Sequence, residues 1–122
     1  MLLDPNVPVN EFSDEELINE FLNPSKYKRR NLYGVMARRA TNNVIIKNML
    51  FGIVVSDEAR KETEMGFILH SWLPAILILK ESSNSVKLEL KQLLKEWTKE
   101  EKGNFLSYIK KEQEYYSFLC DI

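Results

Sequence analysis

Apolar residues recur along this chain at intervals of three and four, the spacing of one helix face, in nearly every segment. Leu17, Ile18, Phe21 and Leu22 form the first such stripe. Ser13 followed by Glu16 has the spacing of a capping box, and Phe12 and Leu17 stand where a hydrophobic staple places them. Asn23-Pro24 interrupts the stripe, and Pro24 is suited to opening a second helix, where a missing N–H costs little. That helix is predicted to turn Tyr27, Leu32, Val35 and Met36 inward and to end near Ala40. Thr41-Asn42-Asn43 then supplies a turn and an N-cap. The next stretch, VIIKNMLFGIVV, is apolar on almost every side, which predicts a central helix; its Val and Ile content also suits a strand, and its helical neighbours decide for helix.

Ser56-Asp57-Glu58 reads as a further cap, opening a fourth helix from Asp57 to about Glu81 with Ala59, Met65, Ile68, Leu69, Trp72, Leu73, Ile76 and Leu79 as its apolar positions. Pro74 inside it predicts a kink or a break between Leu69 and Leu73, at a cost of about 3 kcal/mol if nothing compensates. Residues 82–85 read as a loop. Val86, Leu90, Leu93, Leu94 and Trp97 make the fifth stripe, with Lys87, Lys91 and Lys95 on its wet side. Thr98 and Glu101 repeat the capping-box spacing and predict a last helix carrying Phe105, Leu106, Ile109, Tyr116 and Leu119 inward.

About six helices with short loops and no Asn-Gly or Asp-Gly hairpin signal predict an all-α fold. The expected form is a compact bundle or a short stack of antiparallel helical hairpins. The 122 residues suit a single domain over 1–122, with 1–12 an extended N-terminal arm. The opening residues lack the basic flank and apolar run of a secretory signal, and the apolar run from Met65 to Leu79 is shorter than the roughly 20 residues of a membrane span. One cysteine, Cys120, allows no internal disulfide, so a soluble, cytoplasmic protein without membrane association is expected.

Charge changes this picture. The chain carries a net charge of −1, which conceals a dipolar first half. Residues 1–22 hold acids and no base. Residues 23–55 hold Lys26, Lys28, Arg29, Arg30, Arg38, Arg39 and Lys47 and no acid. The segment 26–47 is therefore a candidate anion-binding patch, with Tyr27 or Tyr33 available to stack on an unpaired base. The competing reading pairs the basic second helix with the acidic first, at about 0–1 kcal/mol for each exposed pair.

Catalytic chemistry finds little footing. His70 is the single histidine and sits among apolar neighbours, which suits a structural role. One His and one Cys cannot make a zinc quartet, so no metal and no cofactor are expected. Cys120 reads as a small buried hydrophobe, and Gly34, Gly52, Gly66 and Gly103 are isolated and form no phosphate loop. Glycines inside helices more often mark close packing. Tyr108 and Tyr115, one heptad apart, fall opposite the core side of the last helix and are the candidate partner-binding anchors. The sequence thus favours a non-enzymatic protein–protein interaction module: an inhibitor of the immunity-protein kind that neutralises a toxin or enzyme, an adaptor or a chaperone. The alternative is a nucleic-acid-binding regulator that uses the basic segment.

Overall fold

A computed structural model describes residues 8–25, 29–61, 63–64 and 68–122. Among these the fold is all-α, with seven α-helices: α1 (Asp14–Leu22), α2 (Arg29–Arg39), α3 (Val44–Val55), α4 (Trp72–Glu81), α5 (Asn84–Leu94), α6 (Lys99–Ile109) and α7 (Gln113–Leu119). Both capping boxes form. The Glu16 N–H donates to Ser13 Oγ at 3.1 Å while Glu16 Oε1 accepts from the Ser13 N–H at 2.9 Å, and Thr98 with Glu101 does the same at the start of α6. Each box satisfies two N–H groups that the first helical turn leaves orphaned. Of the arm expected over 1–12, residues Val9–Glu11 make a single 3-10 turn between extended Pro8 and Phe12. Val9 and Phe12 are buried against the core.

The core gathers around α2, which packs against α1, α3, α4 and the 3-10 turn. It buries Leu32, Tyr33, Val35, Met36 and Ala37. Its small residues let α4 lie close: a Cβ on Gly34 would stand 3.8 Å from Leu77, and Ser82 at the end of α4 donates its hydroxyl to the Ala37 carbonyl at 2.6 Å. At the far end Trp72, Trp97 and Phe105 stack in tilted and edge-on pairs 5.5 to 5.8 Å apart. The Trp97 indole N–H donates to the Val54 carbonyl at 3.0 Å. That bond satisfies a carbonyl left open by the end of α3.

Several expectations are corrected. The fourth helix does not begin at Asp57: residues 57–61 are a turn, and β1 (Thr63–Glu64) pairs antiparallel with β2 (Ile68–Leu69) before α4 starts at Trp72. The break expected between Leu69 and Leu73 is there, between the end of β2 at Leu69 and the start of α4 at Trp72, but no helix precedes it; Pro74 is the third residue of α4, where its missing N–H would have had no intrahelical partner. The turn is held by Arg60, which bonds Asp57 and reaches Glu101 on α6 at 2.8 Å, and by the Ser71 N–H on the Ala59 carbonyl at 2.9 Å. Pro24 does not open α2. Buried Glu20 accepts from the Ser25 N–H and hydroxyl, both at 2.8 Å, and so closes the end of α1. Tyr27 lies outside the described residues. Leu22, assigned to the first stripe, is 63% exposed.

The expected single last helix is two. A turn at residues 110–112 ends α6 and reorients the chain, so Tyr108 and Tyr115 lie on different helices. Both pack on the core as half-buried side chains, contrary to the expected outward placement. Cys120 is exposed, because the helix that would have buried it ends at Leu119.

Candidate interaction surface on the third helix

The third helix begins at Asn43, whose side-chain oxygen accepts from the N–H groups of Ile45 and Ile46 at 3.0 and 3.1 Å. The same amide donates to Asp14 at 2.9 Å, and Asp14 accepts a second, charge-assisted bond from Arg39 at 2.7 Å. These two bonds, the one from Asn43 first, hold the Asp14 carboxyl below its ordinary pKa. Arg39 also donates to the carbonyl of Phe12 at 2.8 Å, so one guanidinium ties the N-terminal turn to α1 and α2.

From this anchor α3 runs with its three 0%-exposed residues, Ile46, Leu50 and Val54, on one stripe. One flank carries Lys47, which pairs with Glu89 of α5 at 3.1 Å and lies over the Phe51 ring. The other flank carries Met49 and Ile53, which line a groove of about 350 Å³ together with Phe21, Ser56, Glu58 and His70. The outward face is Val44, Ile45, Asn48, Gly52 and Val55, all exposed, with Val44 at 60%, Ile45 at 59% and Val55 at 43%. Not one of the five is charged. The central helix expected from VIIKNMLFGIVV is thus half in the core and half outside it. A helix wrapped by neighbours on one side only can bury a single stripe, whatever the composition of the others. Gly52 does not mark close packing within the chain, since a Cβ there would meet nothing within 4 Å.

The basic segment is dispersed rather than gathered. Arg38 faces Glu81 at 3.8 Å, Arg39 meets Asp14, and Lys47 meets Glu89. Pairing with the acidic first helix occurs at Arg39, and the other two reach α4 and α5. Arg29 and Arg30 are exposed at the start of α2, and Lys26 and Lys28 lie outside the described residues. Arg29 Nη1 is 3.4 Å from His70 Nε2, and the Tyr33 hydroxyl is 3.2 Å from the same nitrogen, with the Tyr33 and His70 rings stacked. His70 is thereby held by a tyrosine and an arginine that the sequence did not associate with it.

The two tyrosines occupy separate clefts. Tyr108 lies 5.0 Å from the Trp72 ring in an open cleft of about 500 Å³ shared with Asn104 and Ser107. Tyr115 lines a cleft of about 180 Å³ with Leu79, Lys87 and Phe118. Desolvation, and then the carboxylates of Glu112, Glu114 and Glu81, push its hydroxyl pKa up. Among the described residues no group of three or more His, Cys, Asp or Glu could hold a metal ion, and no helix is long and apolar enough to cross a membrane.

In comparison with known proteins, no family model matches the chain, and no curated sequence or solved structure is significantly similar to it.

Proposed function

We propose that the protein is a non-enzymatic protein-binding module, of the adaptor, chaperone or inhibitor type, and that it binds through the outward face of α3. The observation that carries this reading is three helical turns of exposed, uncharged, mainly aliphatic surface on a chain that is 29% charged. Exposed apolar residues gathered on one helix face, here Val44, Ile45 and Val55, favour an interaction site more than single scattered ones do. Charge sits around the patch instead, with Asp57 and Glu58 beyond the end of α3 and Lys47 and Glu89 on its flank. An uncharged centre with a charged rim is the usual anatomy of a protein interface. Tyr108 and Tyr115 are less suited to be the anchors, because they are half-buried in two unconnected clefts.

The nucleic-acid reading has weaker support. Arg38, Arg39 and Lys47 each face a carboxylate, which a phosphate would have to displace.

Site-specific photo-crosslinking tests the proposal. A benzophenone amino acid at position 48 should give discrete protein adducts in the native cell, while the same group at exposed Lys110, past the far end of α6 from the Trp97–Val54 contact, should give none. Absence of adducts at 48, or identical adducts at both positions, would contradict it.

A further inference from the structure

We infer that the groove beside α3 receives an arginine side chain of the protein seated on that helix. The inference rests on the reading of the α3 face as a protein-binding surface, and it names the residue that the partner must present.

Gly52 gives access. It belongs both to the outward face of α3 and to the wall of the groove, and nothing stands within 4 Å of where its Cβ would be. A partner lying on the face can reach past it into the groove.

The groove, of about 350 Å³, suits a cation carried on an apolar stem. Phe21, Met49 and Ile53, all half-buried, make its apolar walls. Glu58 is the one carboxylate among the lining residues, and no lysine or arginine lines the groove. Asp57 and Glu101 are both paired with Arg60, whereas Glu58 takes part in no side-chain ion pair or hydrogen bond among the described residues. Two helix ends add charge of the same sign. Phe21 belongs to the last turn of α1, Gly52 and Ile53 belong to the last turn of α3, and neither turn carries a basic residue. Helix C-termini carry partial negative charge and favour cations beside that turn. Arg29 meets His70 Nε2 at 3.4 Å from the α2 side and is not a wall of the groove.

Arginine matches these walls better than the alternatives do. Its aliphatic stem can lie along Met49 and Ile53 while its head stays charged. The planar guanidinium can stack on the Phe21 ring and offer two parallel N–H donors to the Glu58 carboxylate, which the ammonium of a lysine cannot do. A purely apolar side chain would desolvate Glu58 without pairing it, and an acidic one would meet a carboxylate and two negative helix ends. Arginine is also among the residues that most often anchor protein interfaces.

NMR on the full chain tests this, with isotope-labelled methionine methyl groups and the ring of His70, the single histidine, as reporters. The probes are N-acetyl-arginine amide, its neutral isostere N-acetyl-citrulline amide, and N-acetyl-glutamate amide. The arginine probe should shift Met49 and His70 saturably, in the millimolar range, and leave buried Met36 in place. The citrulline probe keeps the stem and loses the charge, and should bind at least about threefold more weakly. Glu58→Gln, at an exposed position, should weaken the arginine probe by a similar factor and leave the citrulline probe and the melting temperature unchanged. In the cell, Glu58→Lys should lower the yield of adducts at position 48, because the partner's arginine then meets a like charge. No saturable shift with the arginine probe, equal binding of the citrulline or glutamate probe, or an adduct yield indifferent to Glu58→Lys would overturn the inference. The two readings fail separately. Adducts at position 48 without selective arginine binding would overturn the groove alone, and selective arginine binding without adducts would support the groove and overturn the α3 face as the binding surface.

Discussion

The second and third helices reverse the roles that their compositions suggest. RRNLYGVMARR begins and ends in arginine pairs, yet α2 is the pillar of the core; VIIKNMLFGIVV has one charge in twelve residues, yet α3 leaves a whole face to solvent. Neighbours decide the difference. Helix α2 is surrounded by α1, α3, α4 and the N-terminal turn, and its small residues Gly34 and Ala37 admit α4 closely. Its arginines sit at the ends, from which long side chains reach carboxylates and carbonyls without entering the core. Hydropathy measures what a helix can bury, and packing decides how much of it is buried. A helix far more apolar than its burial requires has surface to spare for a partner.

This contrast can be broken most sharply by truncation. Met36→Ala on α2 removes a fully buried side chain and should cost about 2–5 kcal/mol, whereas Val55→Ala on the outward face of α3 should stay within about 0.5 kcal/mol; urea unfolding of dilute samples measures both. Equal losses would erase the distinction between the helices. Next in size, Arg39→Met severs the bonds to Asp14 and to the Phe12 carbonyl and should cost about 1–3 kcal/mol in the same assay. A smaller effect of opposite sign is expected from Gly52→Ala. It should stabilise the dilute chain by about 0.5–1 kcal/mol, because α3 gains helix propensity where the new methyl meets nothing.

The smallest effect is on pH dependence. The Asp14 carboxyl is held below its unfolded value of about 3.9, so the stability it confers is fully present above that pH and is lost as pH falls through the lower folded value. Asp14→Asn should flatten the acid limb of a stability–pH profile there and leave the neutral region parallel to the parent. An unchanged acid limb would remove Asp14 from the account.

Much of the fold was legible because its signals are local. Ser13 with Glu16 and Thr98 with Glu101 cap helices through residues three apart, and the stripes of α2, α5 and α6 repeat at helical period. What failed to show was relational. The run from Met65 to Leu79 looks continuous by hydropathy, and Pro74, taken as a fault inside a helix, marks the first turn of one. The break between α6 and α7 falls at Lys110, Lys111 and Glu112, with no glycine or proline to announce it, so two tyrosines a heptad apart ended in different clefts. The candidate surface was hidden for a related reason: a stretch apolar on every side gives no clue to which side its neighbours will leave open. Gly52, whose place inside a helix suggested close packing, has nothing within 4 Å of where its Cβ would stand.

The central claim, that α2 is the core and α3 the spare surface, is tested most directly by one pair of variants. Met36→Asp and Ile45→Asp put the same charge on the two helices, and thermal melts followed by far-ultraviolet circular dichroism report the result. The account predicts that Met36→Asp abolishes the cooperative transition, since an unpaired charge cannot be held at a fully buried site, and that Ile45→Asp melts within a few degrees of the parent. If Ile45→Asp unfolds the protein as Met36→Asp does, the outward face of α3 is part of the core, and the interaction surface proposed for it does not exist.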